Sequence, residues 1–322
     1  MYKQIGVFNT KYSLLIFLLL PKKMKKNTYF IFGDDMNLKF GRQIYNLKKI
    51  KFFNNKVLNI FIEIFENTYL KILLFNKNIP IYGQDHIRLG NKLLNKKNFY
   101  VIEDGILSYK NIDNKNKKSL MRNFFEKILG RYPHLGRSEN VKKIYLTGLA
   151  PVPKEIAHKV EIINLRNLWN NKTLEEQNEI LDIFSFDLDI KQKLIGKDII
   201  LFTQPLSEDN IVTENEKIAI YFKIIKKYPK ERLIIKSHPR ELTKYKEIFK
   251  DYLVLDNPFP FEILNLLDVS FIKAVTLFST AALGLGDNIK IDFYGTEVHP
   301  KILKKFGSCE NIMKRNCYLE EE

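Results

Sequence analysis

Ile199-Ile200-Leu201-Phe202-Thr203, a helix-patterned run over Glu214–Lys227 and then Leu233-Ile234-Ile235-Lys236-Ser237-His238-Pro239 make one strand–helix–strand unit. Two short apolar runs bounded by polar residues suit strands buried on both faces, and the amphipathic run between them suits the helix that covers one face. Strands joined by such a crossover pair in parallel, with a right-handed connection. Working toward the C-terminus, the alternation continues: Tyr245–Phe249 as helix, Tyr252–Leu255 as strand, and Phe261–Leu267 as helix. Val269–Ile272 and Ile289–Phe293 then read as strands flanking a small-residue turn and helix near Ser279.

Toward the N-terminus the same grammar recurs. Ile5–Phe8, Thr28–Phe32, Val57–Ile62, Ile79–Gly83, Phe99–Ile102, Lys143–Gly148 and Val160–Ile163 are strand-like, although Val57–Ile62 also suits a short apolar helix. The run Ser13–Leu20 is too short to span a bilayer and is followed by Pro21-Lys22-Lys23, not by a small-residue cleavage site. We read it as a buried first helix. A polar amphipathic stretch, Lys172 to about Lys193, separates the two halves and is expected to be helical. The pattern predicts an α/β protein with two Rossmann-like, doubly wound domains facing each other, over 1–170 and 171–322.

Composition narrows the function. Of 322 residues, 53 are Lys or Arg and 37 are Asp or Glu, a net charge of +16. Only nine of those cations are Arg, the residue suited to fork-like phosphate recognition, and the Lys residues are spread along the chain with Asn and Ile. That spread argues against a nucleic-acid partner and leaves open a weak attraction to an anionic membrane surface. The two cysteines, Cys309 and Cys317, form neither a disulfide framework nor a zinc pattern, which fits a reducing, cytoplasmic setting.

In doubly wound sheets ligands bind at the carboxyl ends of strands, and polar clusters stand at those places. Glu103-Asp104-Gly105 follows Phe99–Ile102; Ser237-His238-Pro239 follows Leu233–Lys236; Ser279-Thr280 opens a small-residue segment. A carboxylate can accept a proton, a histidine beside an anion can take up charge as an imidazolium acid, and hydroxyls with free amides suit a phosphate. Pro260-Phe261-Glu262 adds a carboxylate suited to vicinal ribose hydroxyls, and Gln204–Asp209 offers another at Asp209. Each cluster alone also has an ordinary explanation: an acidic turn, a capped loop histidine or an N-cap. His86, His134 and His158 have no comparable placement, and His299-Pro300 is given a structural role. Asp187-Leu188-Asp189 lies in the connecting stretch and reads as surface, so no metal is implied. There is no Walker loop and no dinucleotide fingerprint.

Taken in order, these clusters resemble the bacterial lipooligosaccharide sialyltransferases of glycosyltransferase family 52. Glu103-Asp104-Gly105 looks like their acidic-acidic-Gly motif and Ser237-His238-Pro239 like their His-Pro motif. Ser279-Thr280 looks like their hydroxyl pair, with Pro260-Phe261-Glu262 as the ribose-binding segment. The resemblance implies a GT-B architecture with CMP-sialic acid bound mainly by the second domain, and inverting transfer without metal or cofactor. The implied acceptor is a terminal galactose of a lipooligosaccharide-type glycan, in α-2,3 linkage. It also implies Asp104 or Asp209 as base, His238 at the leaving phosphate, and donor contacts from Ser237, Pro239, Glu262, Ser279 and Thr280. Some relatives form domain-swapped dimers, which leaves a homodimer open. The competing expectation is a GT-B glycosyltransferase that uses a different nucleotide sugar.

Overall fold

The computed structural model describes residues 3–21, 28–33, 36, 38, 79–94, 98–110, 133–187, 189–238, 240–256, 259–279, 282, 285 and 289–308. Thr280, Pro239 and the Val57–Ile62 run lie outside these residues, as do both cysteines. The chain divides into two compact units, Met1–Ile180 and Leu181–Glu322.

The first unit is built on six parallel strands: β1 (Gln4–Phe8), β2 (Thr28–Phe32), β3 (Ile81–Gly83), β4 (Phe99–Ile102), β5 (Val141–Leu146) and β6 (Val160–Ile162). Their order is β2-β1-β3-β4-β5-β6, every neighbouring pair parallel. The order reverses between β1 and β3, the place where doubly wound sheets offer their ligand-binding loops. The apolar run after β1 forms α1 (Lys11–Leu19), capped by the Thr10 hydroxyl on the Ser13 amide. Eight of its nine residues are buried, as an all-round apolar helix requires.

Gly83 ends β3 at φ +147, and a Cβ there would lie 1.9 Å from the Val7 carbonyl oxygen of β1. Gly83→Ala is therefore expected to cost at least about 2 kcal/mol, through an unfavourable φ and a backbone clash at the switch point. Urea unfolding followed by circular dichroism would show it; an unchanged midpoint would mean that β1 and β3 can move apart.

The stretch expected to be helical, Lys172 to about Lys193, holds two helices, α4 (Leu174–Ile183) and α5 (Asp189–Lys193); α2 (Arg88–Leu93) and α3 (Leu165–Asn170) come earlier, in the first unit. Lys172 Nζ donates to the Leu20 carbonyl at 3.1 Å, which ties the end of α3 back to the first unit. The division between the two units falls within α4, after Ile180.

The second unit has five parallel strands: β7 (Ile199–Phe202), β8 (Leu233–Lys236), β9 (Leu253–Leu255), β10 (Lys273–Thr276) and β11 (Lys290–Phe293). Their order is β11-β10-β7-β8-β9, the reversal falling between β7 and β10. Between β7 and β8 runs α6 (Glu214–Ile225), opened by a reciprocal Thr213/Glu216 capping box. The shorter helices are α7 (Tyr245–Ile248), α8 (Glu262–Leu266) and α9 (Pro300–Phe306), the last capped by the His299 side chain.

One strand differs from the sequence reading. Val269–Ile272 is a connector, and the strand is Lys273–Thr276, paired with Ile199–Phe202 on one side and β11 on the other. The chain leaves α8 through Asp268 at φ +61, with the Val269 amide still bonded to the Leu264 carbonyl, and Ile272 is exposed. Two adjacent apolar runs carry equal strand signal; the spacing the helix exit needs selects the second.

Candidate active site

In the first unit β4 runs into Glu103-Asp104-Gly105, with Gly105 at φ +63 turning the chain as the sequence suggested. The two acids do different work. Glu103 is wholly buried, and its carboxylate accepts from Tyr12 and Tyr109 hydroxyls, each at 2.7 Å, and from the Thr147 hydroxyl at 2.8 Å and amide at 2.5 Å. Burial pushes its pKa above the usual glutamate value despite these donors. Glu103 thus braces α1 and the loops after β4 and β5 against one another.

Asp104 is the acid presented at the strand end. Its Oδ1 accepts from the Thr10 hydroxyl at 2.9 Å and its Oδ2 lies 3.0 Å from His86 Nε2. Its own amide donates to the Ser108 hydroxyl at 2.8 Å. His86, which sequence reading had set aside, comes from the loop after β3, and Thr10 from the loop after β1. Gln84 links these two diverging loops, accepting from the Asn9 amide at 2.6 Å and donating to the Thr10 hydroxyl at 3.2 Å. The Asp104 carboxylate therefore stands at the topological switch point of the first sheet.

In the second unit the switch point is bridged by another glutamine. Gln204, after β7, accepts from the Phe278 amide after β10 at 3.2 Å. The Ser279 amide donates to the Thr276 hydroxyl at 3.0 Å, so in this state it is engaged in the turn. Glu262 begins α8, a half-buried position behind Phe261, whose ring packs edge-on against Phe202 at 5.3 Å.

His238 follows β8 directly. Its Nδ1 accepts from the Arg240 amide at 3.1 Å, so the proton of the neutral ring sits on Nε2. Burial, then the positive charges of Arg240 and Lys236, pull its pKa down to about 4. The resting imidazole is neutral at physiological pH and offers an Nε2–H donor. A bound phosphate would oppose that shift.

A buried polar cluster holds this loop. Glu241 accepts from the His238 amide at 2.7 Å, the Tyr245 hydroxyl at 2.8 Å and the Thr203 hydroxyl. Lys217 of α6, 0% exposed, reaches Glu208 at 2.9 Å, Glu214 at 3.2 Å and Glu241 at 3.7 Å. Sequence reasoning missed Lys217, because one lysine on a helix among many carries no signal of its burial. Lys217→Met should cost about 3–5 kcal/mol, since it leaves buried carboxylates without a cation. Urea unfolding of the full chain checks this, and a loss under 1 kcal/mol would mean that the carboxylates simply take up protons.

Asp209 is placed differently from Asp104. Both of its oxygens are engaged by the Arg240 guanidinium, at 2.8 and 3.2 Å, in a pair whose side chains are 39% and 44% exposed. Ser237 sits just before His238, its hydroxyl directed at the Leu255 carbonyl at 3.4 Å. Asp187 accepts from the Asp189 amide at 2.9 Å, an ordinary helix-opening turn. Among the described residues no group of three His, Cys, Asp or Glu side chains could hold a metal ion. Among them, too, no helix is long and apolar enough to cross a membrane.

The family model of glycosyltransferase family 52 matches residues 15–302. The chain belongs to that family. It is a glycosyltransferase, and the family 52 chain is 47% identical over 230 residues to an uncharacterized protein of Haemophilus influenzae Rd, covering 71% of this chain and 72% of that one. Among solved structures it resembles an α/β-galactoside α-2,3-sialyltransferase of Photobacterium phosphoreum, with a TM-score of 0.56 at 14% identity, over 97% of this chain and 96% of the other. It also resembles a 2,6-sialyltransferase of Photobacterium sp. JT-ISH-224 solved with CMP and lactose, with a TM-score of 0.57 at 12% identity, over 90% and 70%. A third likeness is to the GT-B domain of a Photobacterium damselae sialyltransferase, with a TM-score of 0.53 at 12% identity, over 90% of each chain. The family 52 chain has the GT-B fold.

Proposed function

We propose that this family 52 enzyme transfers sialic acid from CMP-sialic acid to a terminal galactose of a lipooligosaccharide-type glycan, with inversion and in α-2,3 linkage. The observation that carries the reading is a strand-end group in each unit: a hydrogen-bonded carboxylate, Asp104, after β4, and an Nε2–H donor, His238, after β8. Attack by a galactose hydroxyl needs a proton acceptor, and departure of CMP needs a donor to the phosphate. Asp104 takes the first role and His238 the second. Asp104 is preferred to Asp209 because its oxygens bond to a hydroxyl and an imidazole, whereas both Asp209 oxygens are held by a guanidinium. Glu262 is assigned to the ribose, and Ser237, Pro239, Ser279 and Thr280 to the phosphate side of the donor.

The solved relative with CMP and lactose supports a cytidine donor and a galactoside acceptor for this chain. With a charge of +16, an enzyme acting on a lipid-linked glycan at the cytoplasmic face of the inner membrane would be drawn weakly to an anionic leaflet. The deciding experiment measures CMP release from CMP-sialic acid, with and without a terminal galactoside, in EDTA, with the product linkage read by NMR. Acceptor-dependent release that survives EDTA supports the reading. Binding of uridine or guanosine nucleotides in preference to CMP would replace it with the other GT-B reading, a glycosyltransferase using a different nucleotide sugar.

A further inference from the structure

We propose that Arg240 is a specificity-determining residue that reads the carboxylate of the donor sugar, exchanging Asp209 for it when the donor binds. The inference rests on the sialic acid reading above and concerns how the same site tells an acidic sugar from a neutral one. A sialyl donor carries its carboxylate on the carbon that also bears the phosphate ester. A group that holds this carboxylate must therefore lie within one side-chain length of the group that holds the phosphate.

Arg240 meets that requirement. Its amide donates to His238 Nδ1 at 3.1 Å, so the two residues share one tight turn at the end of β8. Its guanidinium already grips a carboxylate in the forked geometry that suits one, with Nη1 and Nη2 at 2.8 and 3.2 Å from the two Asp209 oxygens. The pair is 44% and 39% exposed, so water screens it and separation costs little. By contrast, Lys217 on the inner side of the same loop is fully buried among its carboxylates. The loop is thus held from within, and its outer guanidinium can change partner without moving His238. No charge is created in the exchange: one carboxylate replaces another on the guanidinium, and Asp209 turns to solvent.

The test is calorimetry on the full chain with three probes: CMP, the 3-fluoro analogue of CMP-sialic acid, which resists hydrolysis, and the C1-carboxamide of that analogue. Wild type should prefer the acid to the amide by about 10- to 100-fold, the range of a charged hydrogen-bonded pair. Arg240→Gln should remove that preference while leaving CMP affinity within about twofold, because the backbone donor to His238 is kept. Asp209→Asn should tighten the acid by about two- to fivefold by removing the internal competitor. The proposal is overturned if Arg240→Gln keeps the acid preference, if it loses CMP affinity in equal measure, or if Asp209→Asn weakens the acid. Wild-type binding of CMP and the acid, with an undiminished preference in Arg240→Gln, overturns this inference alone. Wild-type failure to bind either cytidine ligand overturns the donor reading, and this inference with it.

Discussion

Asp104→Asn is expected to lower kcat for acceptor-dependent transfer by about 10²- to 10⁴-fold, the range for loss of a general base. CMP affinity should stay within about twofold, because every residue assigned to the donor lies in the second unit. The substitution keeps the side-chain volume and leaves an oxygen to accept from Thr10, so the fold should persist. What is lost is the capacity to take a proton. Asp209→Asn is the comparison, and its kcat should change by less than about fivefold, since it removes only an exposed ion-pair partner. Steady-state kinetics with a galactoside, paired with CMP calorimetry, separates the two carboxylates. A hundredfold loss in Asp209→Asn with near-wild-type Asp104→Asn would move the base to the second unit.

The second large effect concerns His238. His238→Ala should reduce kcat by about 10²- to 10³-fold, the usual cost of one donor to a developing anion. The pH profile carries the sharper information. With the resting pKa near 4, the ring is neutral across pH 6–8 in the free enzyme. The sign follows directly: a group already deprotonated over that interval cannot make kcat/KM fall as pH rises through 6.5. The profile of kcat/KM should therefore show no basic limb from His238 between pH 6 and 8. A basic limb near pH 6.5 that vanishes in His238→Gln would mean that the free enzyme uses an imidazolium after all.

The location of the two key loops was legible in the sequence because strand ends are local features. Leu233–Lys236 reads as a buried strand on its own residues, and His238 stands just beyond it whatever the rest of the chain does. The same holds for Phe99–Ile102 and Asp104. Local periodicity likewise sufficed for α1, whose apolar run could only be buried, and for α6, whose Thr213/Glu216 box marks its start. It failed at β10, where two neighbouring apolar runs competed and pairing with β7 decided between them.

The partners of those residues were not legible, and the reason is sequence separation. Thr10 meets Asp104 across 94 residues and Gln84 across 74. Those meetings depend on strand order, which periodicity does not encode: the same strands in another order would bring different loops together. His86 owes its place beside Asp104 to the seating of β3 between β1 and β4. Arg240 and Asp209, 31 residues apart, became a pair only through the adjacency of β7 and β8. Burial is equally a tertiary quantity, and it is burial that keeps His238 neutral and makes a single lysine, Lys217, the centre of a charged cluster. Local pattern alone specifies a parallel α/β chain with an acid and a histidine at strand ends. The groups that surround them are set by the fold, because desolvation and charge pairing act between residues that the chain brings together from far apart.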